Sequence, residues 1–94
     1  MPRPKKRRCL QFSPDVYYFK PRGVPLRELE EVVLEADELE ALKLHDVDDL
    51  EQVKAAGRMK ISQPTFARIL DRGYKKVAEA LTKGKAIRIY KVRD

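Results

Sequence analysis

The sequence predicts a mainly α fold: a three-helix, helix-turn-helix core with short β-strands at its ends. The stretch Gln52–Leu70, QVKAAGRMKISQPTFARIL, places apolar residues at Ala55, Met59, Ile61, Phe66 and Ile69, the spacing that two short helices crossing at a steep angle require. A longer apolar stripe continues from it through Leu70, Tyr74, Val77, Ala80 and Leu81, a helical period sustained for about five turns. Alternating polar and apolar residues in RCLQF and AIRIYKV read as a strand near either end.

In chain order, residues 1–8, MPRPKKRR, carry five cations and two prolines without apolar content, and read as a flexible basic arm. Residues 9–94 read as one domain, with the helix-turn-helix over about 49–82. Arg8–Phe12 forms the first strand. Ser13–Pro25, with three prolines, a glycine and the cluster Tyr17, Tyr18 and Phe19, reads as a connection held down by its own rings, which are expected to pack into the core. Leu26–Leu34 suits a helix by composition, whereas Val32, Val33 and Leu34 also suit a short extended piece, with a break near Leu34. Ala36–His45 is a helix with the buried stripe Leu39, Leu42 and Leu44, and acids at its start suit the helix dipole. Asp48 and Asp49 do the same for the next helix, which runs to about Met59.

Ile61 plugs the corner between the two crossing helices, and Ala56 sits where the second presses closest on the first. Ser62 is placed to accept a hydrogen bond from the free amides of the next helix, and Pro64 costs little in a first turn whose amides have no intrahelical partner. The last helix therefore starts at Gln63, runs to about residue 82 and stops at Gly84. Ala86–Val92 is the closing strand.

Composition narrows the function. A hydrophobic fraction of 43% supports a folded domain, and no apolar run reaches the roughly 18 residues of a membrane-spanning helix. The charged start has no apolar segment behind it, so no secretory signal is expected, and the expected location is the cytoplasm. Cys9 and His45, the only Cys and His, fall short of a structural zinc set, so no metal and no cofactor are expected. No nucleophile and base pair stands out, which argues against an enzyme. His45 reads as a surface or helix-capping residue.

The net charge of +6 is unevenly spread. Residues 1–27 carry eight Lys/Arg against Asp15, residues 28–51 carry eleven acids against Lys43, and residues 52–94 carry twelve bases against three acids. A basic helix-turn-helix half beside an acidic middle points to double-stranded DNA as the partner and biases which side faces it. The predicted reader is the helix 63–82 in the major groove, with Ser62, Gln63, Thr65, Ala67, Arg68 and Asp71 at bases or adjacent phosphates. Gln63 and Arg68 are the expected direct readers. Arg72, Lys75, Lys76 and the arm residues Arg3, Lys5, Lys6, Arg7 and Arg8 are the expected phosphate contacts.

Two other functions fit the same residues. An adaptor would use the acidic segment 28–51 to bind the transcription machinery or a basic protein. An RNA binder would stack bases on Tyr17, Tyr18 and Phe19. The terminal strands invite pairing within one chain or exchange between two, the latter giving a homodimer whose symmetry suits a palindromic site.

Across nearly the whole chain, RPKKRR, YYFKPRGVPL, ELEALKLHD, ISQPTFARIL, KKVAEAL and GKAIRI resemble the domain of unknown function 134 family. That resemblance implies a small prokaryotic protein with a helix-turn-helix similar to region 4 of sigma-70 factors, and a DNA-binding role. Several residues depart from the family pattern. Lys60 stands where a glycine usually makes the turn, so a left-handed Lys is expected there at a cost of roughly 1 kcal/mol. Gly57 and Gly73 replace the usual Glu and Ala within helices, each weakening its helix by about 1 kcal/mol. Lys54 replaces an acid. Gln63 replaces a common Arg, a change that favours adenine over guanine.

Overall fold

A computed structural model describes residues 16–90. The basic arm, Cys9, the RCLQF strand and the last four residues lie outside the described residues. The elements run β1 (Val16–Phe19), a single 3-10 turn (Leu26–Glu28), β2 (Glu31–Leu34), α1 (Ala36–Leu42), a π-helical turn (Lys43–Val47), α2 (Gln52–Met59), α3 (Gln63–Lys83) and β3 (Ala86–Tyr90). The molecule is mainly helical with a small sheet, as the sequence predicts, but the sheet has three strands and its composition differs from the expectation.

The strand order is β1-β3-β2. β3 lies in the middle, antiparallel to β1 (Tyr17 opposite Ile89) and parallel to β2 (Leu34 opposite Ile89). All three described strands pair within one chain, while the RCLQF strand on which the expected exchange rests lies outside the described residues. Because paired residues share a face, Val32, Leu34, Ile87 and Ile89 turn to one side with Tyr17 and Phe19, while Val33, Arg88 and Tyr18 turn to the other. Val32, Leu34 and Ile89 are buried on the first side, beneath α3 and α1.

Two sequence expectations are corrected here. Residues 16–19 form a strand rather than part of a connection, and their rings are not core: Tyr17 is 39% and Phe19 60% exposed. The cause is position, since β1 is an edge strand that touches β3 and extends beyond the helix layer. The Leu26–Leu34 ambiguity resolves to a turn and then the strand β2, because Val32 and Leu34 gain a sheet partner in β3 that is more than 50 residues away in sequence.

The helical core centres on fully buried Phe66, packed with Ala41, Leu44, Ala55, Ala56, Ile69 and Leu70 and flanked by Leu42, Leu50, Met59 and Ile61. The helix begun at Ala36 widens at its end, where the Asp48 amide donates to the carbonyl of Lys43 over 2.9 Å, a five-residue step. His45 donates from Nδ1 to the Leu50 carbonyl at 2.8 Å and sets its ring edge-on to Phe66, so it staples the connection onto the core. Asp48 and Asp49 belong to this connection and not to α2, which begins at Gln52.

Candidate nucleic-acid interface

The junction of α2 and α3 is built from three local devices. Lys60 closes α2 in the left-handed region at φ 60 and ψ 42, as the resemblance to the family leads one to expect. With it come two reversed hydrogen bonds, from the Lys60 amide to the Gly57 carbonyl at 3.1 Å and from the Ile61 amide to the Ala56 carbonyl at 3.0 Å. Together with the Ile61 and Ala56 packing, this is a Schellman ending. Ser62 then caps α3, its Oγ accepting from the Thr65 amide at 3.3 Å, with Pro64 in the first turn. Ala55 and Ala56 are buried where the helices approach, and a larger side chain would push them apart.

These devices fix which face of α3 meets solvent. Phe66, Ile69, Leu70 and Gly73 point inward, so Arg68 and Asp71 take the opposite, exposed face with Ala67 half-buried beside them, while Gln63, in line with Leu70, is exposed because it stands at the open start of the helix. Thr65 turns to the side, where its hydroxyl accepts from Ser62 Oγ at 2.9 Å and, at 3.5 Å, from Arg68. Five of the six predicted base-contact residues thus lie together at the head of α3 within its first two turns, Asp71 following in the third.

The predicted phosphate contacts divide. The arm residues lie outside the description. Lys75 pairs with Asp71 at 3.3 Å, and Arg72 reaches Glu38 at 3.2 Å and Asp37 at 3.6 Å. Lys76 is the clearest correction. Its Nζ donates to Glu38 at 2.8 Å and to the Val33 carbonyl at 2.7 Å, so two of its three protons are held inside the fold and it acts as a structural cation.

Glu38 explains why. Its side chain is 1% exposed, wedged between α1 and α3, and also accepts from the Glu35 amide at 2.9 Å at the start of α1. Burial pushes its carboxyl up, but the bonds from Lys76, Glu35 and Arg72 outweigh burial and hold it below the ordinary value of 4.5. A buried carboxylate needs such partners, and α3 supplies two of them from one face.

Sequence reasoning assigned no contact role to Lys54, Arg58 and Lys60. All three are exposed on α2 and the turn, and among the described residues neither they nor Arg68 pairs with a carboxylate. The four-residue step from Lys54 to Arg58 was the available signal, since it stacks two cations on one face of a helix whose other face holds Ala55 and Ala56. On α3, Arg72, Lys75 and Lys76 have bound partners, whereas Arg68 near its beginning, with Lys54, Arg58 and Lys60 beside it, and Lys83 at its end have none among the described residues.

Fold and surface together define a small helical protein with a mixed three-stranded sheet and a cationic, unpaired helix start. The chain belongs to the DUF134 family, described as a protein of unknown function, whose profile matches residues 1–92. It is 58% identical over 89 residues to a UPF0251 protein of Moorella thermoacetica, an alignment covering 95% of this chain and 60% of that protein. It is 50% identical over 98 residues to a UPF0251 protein of Thermoanaerobacter pseudethanolicus, covering all of this chain and 83% of the relative. A UPF0251 protein of Desulfosudis oleivorans is 55% identical, with 64% of its length covered. The chain thus spans between roughly three fifths and four fifths of these relatives. No solved structure matches it. Among the described residues no helix is long and apolar enough to cross a membrane.

Proposed function

We propose that this chain is a sequence-specific, non-enzymatic DNA-binding protein that regulates transcription at the prokaryotic nucleoid, working as a homodimer. The first two turns of α3 enter the major groove, Gln63 and Arg68 read bases, and Lys54, Arg58 and Lys60 meet flanking phosphates. One observation carries the reading: Gln63 and Arg68 stand exposed on a capped, rigidly seated helix start, ringed by cations that have no carboxylate partner within the fold. Such a surface is costly to leave unneutralised beside other cations, and a phosphate backbone neutralises it. Gln63 favours adenine through paired contacts, and Arg68 favours guanine.

The test is selection from a random DNA pool at near-physiological salt, repeated with Gln63→Ala combined with Arg68→Ala. The expected outcome is an enriched motif that disappears in the double variant. Salt-sensitive binding without enrichment would reject sequence reading. The adaptor reading would then lead, supported by the exposed Glu28, Glu31, Glu35 and Glu51 of the acidic segment; charge reversal there should abolish capture of a basic partner while Gln63 and Arg68 variants leave it intact.

A further inference from the structure

The second half of α3 carries a feature that DNA reading does not use. Tyr74, Val77, Ala78 and Leu81 line one side of the helix. Leu81 is 75% and Tyr74 41% exposed, although both belong to the stripe that is buried further back at Phe66 and Leu70. The surface continues onto the sheet. Leu81 and Phe19 line one groove with Ala80, Pro21 and Ile87, and Phe19 is itself 60% exposed.

We infer that a second copy of this chain docks on the stripe formed by Tyr74, Val77, Ala78, Leu81 and Phe19, with the two α3 helices antiparallel. Area supports an occupant of this size. With full side chains of about 150–250 Å² each, the exposed parts of Tyr74, Leu81 and Phe19 alone amount to a few hundred Å², the scale that marks an association site. The remainder of the roughly 800 Å² per partner of a standard interface would come from the polar rim around this apolar centre.

Charge selects the antiparallel arrangement. At the Tyr74 end the rim carries Asp46, which accepts the Tyr74 hydroxyl at 2.7 Å and pairs with no cation among the described residues. At the Leu81 end it carries Lys20, which lines the groove beside a Lys85 already paired with Glu79 and Glu30 and has no carboxylate partner among the described residues. A two-fold axis through the stripe sets Tyr74 of one copy against Leu81 of the other, and the acidic rim of each against the basic rim of its partner. A parallel pair would oppose like charges.

The same geometry positions the DNA-reading faces, and this part rests on the function proposed above. With the axis near Val77, the Gln63–Arg68 segment lies about twelve residues away, or about 18 Å along the helix. The two segments are then about 36 Å apart, the centre-to-centre distance of half-sites one turn apart on DNA. Arg68 lies about a third of a turn around the helix from the stripe and Gln63 in line with it, so the two-fold axis directs Arg68 of both copies to the same side.

Sedimentation equilibrium of the full chain at micromolar concentration tests the dimer without DNA. The expected result is twice the mass of 10.9 kDa for the wild type and for Arg68→Ala, and monomers for Leu81→Glu and Phe19→Glu with unchanged helical circular dichroism. Each of the latter two should weaken self-association by more than about tenfold. A monomeric wild type, or dimers that survive both charged substitutions, would overturn the inference. A dimer that enriches no DNA motif keeps this interface and removes the DNA reading. An enriched palindrome whose half-sites are not one turn apart would overturn the antiparallel pairing.

Discussion

Arg68 and Lys76 stand on one helix, eight residues apart, and carry the same charge, yet the fold treats them oppositely. Arg68 faces solvent with only a 3.5 Å approach to Thr65, whereas Lys76 is held by Glu38 and the Val33 carbonyl. The difference lies in what packs opposite each. Beside Arg68 there is only the end of the turn, while beside Lys76 lies α1 with a carboxylate that would be untenable without a cation. A basic helix face is therefore two surfaces, one internal and one available to a partner.

The sharpest way to break this contrast is Lys76→Met, which removes the cation and leaves Glu38 buried beside an apolar chain. Breaking a buried ion pair from one side is expected to cost about 3 kcal/mol, a fall in Tm of more than about 10 °C for a domain of this size, measured by thermal melting. A shift of only a degree or two would show that Arg72 alone suffices for Glu38. Next in size, Arg68→Ala is expected to lose about 1–3 kcal/mol of binding to the selected DNA sequence and much less to random DNA, with the melting temperature nearly unchanged. Equal losses on both DNAs would make Arg68 a phosphate contact.

Acid should probe the internal half alone. Glu38 titrates below its ordinary value in the folded chain, so between the two values the unfolded chain binds more protons and stability rises with pH. Its contribution is complete above about pH 4.5 and is lost as the pH falls below that through the folded value. Glu79, held down by its bond to Lys85, adds to the same slope. Denaturant titrations over this range should therefore show a steeper loss for the wild type than for Glu38→Gln. Parallel curves would remove Glu38 from the acid response. The smallest expected effect is a gain. At Gly73 an added Cβ would meet Leu42 at 3.5 Å and Glu38 at 3.6 Å, ordinary contact, so Gly73→Ala should raise stability by about 1 kcal/mol through helix propensity. A loss would mean that α1 and α3 cannot give even that much.

Much of the α2–α3 junction was legible because its signals are local. The Ser62 cap, the first-turn Pro64 and the inward Phe66 and Ile69 all follow from residues within a few positions of one another, whereas the left-handed Lys60 was expected only from the resemblance to the family. What was not legible depends on distant partners. VYYF has apolar residues on both faces, so its alternation is invisible until β3 defines an inner side. Val32 and Leu34 become a strand only through a parallel neighbour near the other end of the described chain. Glu38 sits among other acids in ELEAL and reads as solvent-facing, and only the meeting of α1 with α3 shows it to be buried. The same meeting turned Lys76 from a surface cation into an internal one, while the unpaired state of Arg58 and Lys60 emerged only once the other ion pairs were placed.

The central position of β3 bears on the birth of the protein. β1 and β2 do not pair with each other; each waits for Ala86–Tyr90, which leaves the ribosome after both of them and after every helix. Until then Val32 and Leu34 have no ladder to join, and the strands present open edges to whatever chain is near. The helices, whose contacts are mostly closer in sequence, can gather first, so the order of assembly inverts the order of synthesis for the sheet. A released chain truncated at Gly84 would be a helical cluster with two unclaimed strands, a natural substrate for chaperones and proteases, and the six residues from Lys85 to Tyr90 would complete its sheet.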